Sequence, residues 1–274
     1  MEIPLAYKRA VSRYDSIKTE GLTLYPIKVS EYEEYLTARP AIEIIIQSLP
    51  VRLISLPLLE AVFRIDYEKM SAGEPMTGLF YRTLLFLALS LRLGEGEKSE
   101  DRVKMFRPVV DPSDPIRLKA LYFEIDGEEK KITPIMYHRL RPILAAQNGI
   151  ELANENANPD LIEAERDIAE LNGPKLCVSI ESLVSSVAAL SNIDEAAIYD
   201  WPILKLQNRQ KALKRALDYI ICGIGETQGT KWKGGNPYPH PFYEKERAES
   251  ASLVSLDTFA GGKGLQAIEN AGGI

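Results

Sequence analysis

The segment GLFYRTLLFLALSLRLG, residues 78–94, is the most apolar window of the chain and constrains its fold more than any other. Arg82 and Arg92 leave an uncharged run that is too short to cross a bilayer, which needs about 20 apolar residues. The segment therefore predicts a helix buried in the protein core. With 274 residues and 45% hydrophobic content, the chain can surround such a helix with one large domain or two modest ones.

The net negative charge of the chain limits the kinds of molecule it is expected to bind. The formal net charge is −6 and the pI is about 5.3, whereas sequence-independent nucleic-acid binding needs an excess of basic residues. The first residues lack the apolar core of a signal peptide. Cys177 and Cys222 stand in apolar surroundings, as buried thiols do. We expect a cytoplasmic protein that binds neither nucleic acid nor membrane.

Residues 1–94 predict a helical region with one short strand. The strand is expected at residues 22–28 (LTLYPIK), and its proline places it at a sheet edge. Ser30 and Glu33 have the spacing of a capping box and predict a helix that begins at Ser30. Pro40 is expected to kink or interrupt that helix.

Residues 95–133 predict a small antiparallel β insertion. The stretches VKMFRPVV (103–110) and LKALYFEI (118–125) have the composition of strands, and the turn motif DPSDP separates them. Asp126 and Gly127 between alternating segments predict a second hairpin turn.

Residues 134–225 predict a second helical region. Thr133 followed by Pro134 is typical of a helix start, and SIESLVSSVAALS has helical apolar spacing. A long basic helix follows, and Gly223 and Gly225 are expected to end it. The residues expected to face inward in this helix are Leu204, Leu206, Leu213, Leu217 and Ile220.

Residues 226–274 predict an extended Gly/Pro/aromatic arm that is disordered in part. In KWKGGNPYPHPF, residues 231–242, prolines keep the chain extended and aromatic side chains alternate with them. Trp232, Tyr238 and Phe242 are the predicted anchors, either in a partner's groove or on the protein's own surface. The fold class predicted for the whole chain is mainly α with a small antiparallel β insertion (α+β).

Five basic residues precede the arm: Lys205, Arg209, Lys211, Lys214 and Arg215. They form a candidate surface for an acidic partner or for phosphates. The alternative is a solvated helix face, which the acidic balance of the whole chain favours.

Residues with catalytic or metal-binding potential are few and scattered. His138 and His240 lie in no recognised metal motif. Asp111 and Asp114 suit a turn, and Asp194 suits a helix start. The sequence therefore predicts a protein that is not an enzyme and has no catalytic, cofactor-binding or metal site.

Three segments together resemble the tail assembly chaperones of bacteriophages and prophages. They are GLTLYPIKVSEYEEYL (21–36), the apolar block at 78–94, and IYDWPILKLQNRQKALKRALDYI (198–220) leading into KGGNPYP. The resemblance implies a mostly helical, cytoplasmic protein that binds the helical tape-measure protein and helps to recruit tail-tube subunits. It also implies that the protein is absent from the finished particle. In this class a longer product often arises by ribosomal frameshifting, and GGKG (261–264) is compatible with a slippery codon run.

The leading hypothesis is therefore a non-enzymatic phage tail assembly chaperone that self-associates into a homo-oligomer. The alternatives are a permanent structural component of a phage tail, baseplate or related contractile particle, and an enzyme of unknown type. An enzyme would need a concave pocket with converging polar groups, for example around His138 and Asp194.

Overall fold

The computed structural model describes residues 3–153, 160, 164, 167–168, 179–232 and 236–242. The chain divides into two compact units. The first comprises Met1–Leu152 and Leu176–Lys214, and the second comprises Ala153–Lys175 and Arg215–Ile274.

The first unit is built mainly from helices. Within the described residues these are α1 (Leu5–Arg13), α2 (Tyr32–Ile42), α3 (Val51–Ile54), α4 (Leu58–Ser71), α5 (Leu79–Leu91), α6 (Ser99–Lys104), α7 (Pro134–Gln147), α8 (Ile180–Ser191), α9 (Glu195–Tyr199) and the first half of α10 (Ile203–Thr227). The strands are β1 (Ile17–Thr19), β2 (Leu22–Leu24), β3 (Arg107–Asp111), β4 (Asp114–Ile125) and β5 (Glu128–Ile132). They form an antiparallel pair, β1-β2, and an antiparallel sheet in the order β3-β4-β5. The predicted fold class is confirmed.

Helix α5 is the predicted core helix, and the structure confirms its place. Its residues from Thr83 to Leu91 are all buried, and it packs against α2 and α4. The Phe86 ring lies 6.2 Å from the ring of Tyr35 on α2. A helix that is apolar on every face can be stable in water only when other elements surround it, as they do here.

Two tight turns organise the strands. Asp126 and Gly127 both have positive φ, at 52° and 77°, which is the geometry of the hairpin turn predicted from the Asp-Gly pair. The turn between β1 and β2 has the same character, since Glu20 and Gly21 have φ of 51° and 74°. The strand expected at residues 22–28 ends at Leu24.

The predicted start of α2 is wrong. Ser30 does not begin the helix, because Val29–Glu31 form a 3-10 turn and α2 begins at Tyr32 without a side-chain cap. The buried Val29 donates its N–H to the carbonyl of Trp201 at 2.8 Å, and this tertiary bond fixes the entry of the chain. Pro40 lies in the last turn of α2, which ends at Ile42. The helix therefore stops close to the proline that was expected to kink or interrupt it.

The β insertion begins later than predicted. The first strand starts at Arg107 rather than at residue 103, because Ser99–Lys104 form helix α6. Arg102 of this helix is 3% exposed and donates to Glu31 Oε1 at 2.7 Å. This contact joins residues 71 positions apart, so sequence periodicity did not reveal it.

The helix starts predicted at Thr133 and Asp194 are confirmed. Thr133 Oγ1 accepts from the Met136 N–H at 3.2 Å and Pro134 is the first residue of α7. Asp194 Oδ1 accepts from the Ala196 N–H at 3.2 Å, which confirms its predicted role at a helix start. These caps satisfy orphan backbone donors with side chains close by in sequence.

In the second unit, the longest described element is the second half of α10. The helix continues through Gly223 and Gly225 to Thr227, so the prediction that these glycines end it is wrong. The end comes at Gly229, which has φ of 85°, after the Thr230 N–H has bonded back to the Gly225 carbonyl. Most of the predicted arm, residues 243–274, lies outside the described residues, as does Cys177. Among the described helices, none combines the length and the apolar character needed to cross a membrane.

Candidate partner-binding surface

The second half of α10 carries four aliphatic side chains that are open to solvent. Their exposed fractions are 42% for Leu217, 53% for Ile220, 63% for Ile221 and 52% for Ile224. The spacings of three, four and seven residues place them on one side of the helix. We call these four residues the apolar stripe.

The prediction that Leu217 and Ile220 face inward is therefore wrong. The preceding turns of α10 do behave as expected, since Leu206 is 1% exposed and Leu213 packs against the core of the first unit. Apolar residues thus continue along the helix after their core partners end. Leu213, Leu217, Ile220 and Ile224 follow the alternating spacing of four and three residues that two packed helices use.

The aromatic residues predicted as anchors lie in the second unit as well. Trp232 is 36% exposed, and a Cβ added at Gly225 would lie 3.5 Å from its indole. Phe242 is 80% exposed, with its ring 5.3 Å from the ring of His240. Tyr238 is half-buried, and its N–H donates to Asn236 Oδ1 at 2.8 Å. Phe242 has the exposure that an anchor needs, whereas Trp232 is partly packed beside the helix end.

Of the basic residues predicted to bind a partner, Lys205, Arg209 and Lys211 lie in the first unit, and two of these three have local contacts. The Lys205 ammonium lies 4.2 Å from the centre of the Trp201 ring, a cation–π distance. Arg209 Nε donates to Ser191 Oγ at 3.0 Å. Lys211 is exposed. Nothing in these contacts selects an acidic partner over water, so their partner role stays a prediction.

Among the residues considered for chemistry, Asp111 and Asp194 make local hydrogen bonds. Asp111 Oδ1 accepts from the Ser113 hydroxyl at 2.7 Å and from its N–H at 3.0 Å, which confirms a turn. These bonds, with Lys119 nearby, lower the pKa of Asp111 from 3.8 to about 2. His138 is half-buried and His240 is exposed. In the described ranges, no group of three or more His, Cys, Asp or Glu side chains is placed to hold a metal ion.

Two residues of the apolar stripe were not predicted as partner-binding residues, although their spacing in the sequence is helical. Ile221 and Ile224 stand at helical spacing from Leu217, but periodicity reports which residues share a face and not whether that face is covered. Comparison of the chain with protein-family models, curated proteins and solved structures finds no match. Function is therefore inferred from geometry and sequence pattern alone.

Proposed function

We propose that this protein is a non-enzymatic assembly chaperone of a phage tail, which works in the host cytoplasm and binds amphipathic helices of the tape-measure protein. The observation that carries the proposal is the apolar stripe, Leu217, Ile220, Ile221 and Ile224, exposed on a continuous helix. A partner helix recognises such a surface by placing its own residues at i, i+3, i+4 and i+7 against it. The sequence resemblance supplies the class of partner.

The size of the stripe sets the strength expected of one contact. Fully burying a leucine or isoleucine side chain contributes about 1.5–3 kcal/mol, and these four side chains are already about half buried. A docked helix then gains about 1 kcal/mol from each, or about 4 kcal/mol in total. Binding through one stripe is therefore weak, and a homo-oligomer that offers several stripes to one long partner binds more tightly through avidity.

Weak, repeated binding is what an assembly factor requires. A chaperone must cover the apolar face of a long helical partner and later leave it, so a large and dry permanent interface would work against its release. Phe242, at 80% exposure, adds an aromatic anchor beyond the helix end. Tail-tube subunits are the second class of partner implied by the resemblance.

The test uses the product of the very long, helix-rich open reading frame expected downstream of the gene. This product is co-expressed with the chain, and the affinity between the purified proteins is measured. A double variant, Ile220→Glu with Ile224→Glu, is expected to weaken binding by at least about tenfold, because two carboxylates would have to be desolvated in the interface. The matched control is Met70→Glu, since Met70 is 55% exposed at the end of α4 in the first unit.

Equal binding by the double variant and the native chain would contradict the proposal. Purified particles separate it from the nearest alternative, because an assembly chaperone is absent from them and a permanent tail or baseplate component is present. Detection of the chain in stoichiometric amounts in washed particles would favour the permanent component.

A further inference from the structure

A cleft of about 630 Å³ opens in the first unit between the start of α4, the β3-β4 hairpin and the start of α7. This volume lies in the range of small-molecule sites. Its charged lining includes Glu60 and Arg64 of α4 together with Asp114 and Arg117 of β4. None of these four residues belongs to the surface assigned to protein partners.

Glu60 is the most buried of these charged residues. It is 8% exposed and lines the cleft. Within the described part of the chain its carboxylate accepts no hydrogen bond, and its ion-pair contact is Arg64 Nη2, 4.0 Å from Oε1. A carboxylate that lines a cleft and accepts no hydrogen bond from the protein can accept one from a bound ligand.

Arg64, on the same helix, is likewise held by long contacts to its charged neighbours. Its Nη2 lies 3.7 Å from Asp114 Oδ2, too far for a good hydrogen bond. Its Nε is enclosed and has no hydrogen-bond partner among the described residues. A guanidinium offers a planar fork of N–H donors that matches a carboxylate. The cleft thus holds a carboxylate next to a guanidinium whose Nη2 lies 3.7–4.0 Å from its neighbouring carboxylates.

The rest of the lining is mixed, since besides aliphatic residues it includes Asp111 and Lys119, which pair with each other at 3.3 Å. Leu56, Leu118 and Ile135 supply aliphatic surface to the same cleft. Arg117 is exposed, and the structure records no ion pair for it within the described ranges. It adds a second cation beside the opening.

We propose that this cleft binds a free α-amino acid with an apolar side chain. In such a zwitterion the carboxylate and the ammonium are attached to one carbon, so the two charges stand side by side. That arrangement complements Arg64 and Glu60, whose charged atoms are 4.0 Å apart. The carboxylate accepts from the Nη N–H groups of Arg64, the ammonium donates to Glu60 and Asp114, and the side chain packs on the aliphatic wall.

Three small molecules test the pairing directly. L-leucine carries both charges, isocaproate is leucine without the ammonium, and isopentylamine is leucine without the carboxylate. Each is titrated into the full chain to about 10 mM, with binding followed by calorimetry and by the shift in unfolding temperature. L-isoleucine, L-valine, L-methionine and L-phenylalanine complete the panel. We expect at least one amino acid to bind, and its two single-charge analogues to bind at least about tenfold more weakly.

Two substitutions locate the site. Arg64→Lys removes the planar fork and keeps the charge, so it is expected to weaken binding by about tenfold or more. Arg107→Lys is the matched control, since Arg107 is exposed on β3 and pairs with Glu129 at 2.6 Å. If Arg64→Lys does not fold, Arg117→Ala at the exposed edge of the cleft replaces it, with severalfold weaker binding expected.

The binding measurements can either support or overturn the amino-acid site. Binding of an amino acid that is lost in the cleft variant and kept in Arg107→Lys supports the proposal. No binding by any member of the panel overturns it, and the cleft charges are then satisfied by water. Equal binding of isocaproate also overturns it, because the cleft would then be a simple anion site.

Discussion

Replacing Asp66 with alanine is expected to destabilise the protein strongly, because this side chain of α4 caps the start of the core helix α5. Asp66 is 6% exposed. Its Oδ1 accepts from the Thr77 N–H at 2.7 Å and from the Gly78 N–H at 3.2 Å, and its Oδ2 accepts from the Phe80 N–H at 2.9 Å. The Thr77 hydroxyl also donates to Oδ1. One carboxylate thus satisfies donors that a helix start leaves without partners.

The magnitude follows from those four bonds. A hydrogen bond to a charged group contributes about 1.5–3 kcal/mol, and a buried donor left without a partner costs a similar amount. Thr77 and Gly78 are half-buried, so water can replace part of what they lose. If the loss equals that of about two full hydrogen bonds, Asp66→Ala lowers the free energy of unfolding by about 4 kcal/mol. Native domains typically have roughly 5–15 kcal/mol in total, so this is a large loss.

Asp66→Asn is a sharper variant of the same test. The amide keeps the shape and one acceptor oxygen, but its NH₂ group faces either the Phe80 N–H or the donors of Thr77. It also loses the negative charge at a helix N-terminus. We expect a loss of about 2–3 kcal/mol, between that of alanine and the native chain.

Urea unfolding followed by far-UV circular dichroism measures both losses, and amide hydrogen exchange of Phe80 reports the opened helix start. The control is Glu68→Ala on the same helix. Glu68 pairs with Arg52 at 2.6 Å on the surface, where the Arg52 side chain is 68% exposed, and such pairs contribute less than about 1 kcal/mol. An Asp66→Ala loss no larger than the Glu68→Ala loss would refute the capping argument.

Two further outcomes are expected. Ser90 in α5 is fully buried, and its Oγ has no hydrogen-bond partner among the described residues. Ser90→Ala should therefore raise the free energy of unfolding by up to about 1 kcal/mol. A lower free energy of unfolding in urea would show that the hydroxyl has a partner. Asp111 has its pKa lowered from 3.8 to about 2, so its contribution to stability is complete above pH 3.8 and is lost as the pH falls through about 2. Carboxyl NMR titration should find that Ser113→Ala moves this pKa up towards 3.8, whereas an unchanged value would exclude the Ser113 hydroxyl as the main cause.

Much of the fold was accessible from local rules. The Asp126-Gly127 turn, the Thr133-Pro134 helix start and the Asp194 cap each depend on residues a few positions apart, and each is found where predicted. The buried α5 followed from composition alone, because a helix without a polar face has to be covered. Errors arose where a distant contact changed the local outcome, as when the bond from Val29 to Trp201 displaced the start of α2.

The amino-acid sequence by itself determined the class of fold, the core helix and most of the turns, since backbone preference and apolar spacing act over a few residues. Tertiary structure alone decided which helix faces are covered. Leu213 and Leu217 have the same chemistry and share a face, yet one packs against the core and the other is 42% exposed. It alone also brought Arg64 to Asp114 across 50 positions of chain. Burial and ion pairing depend on which elements meet in space, and no local pattern encodes that meeting.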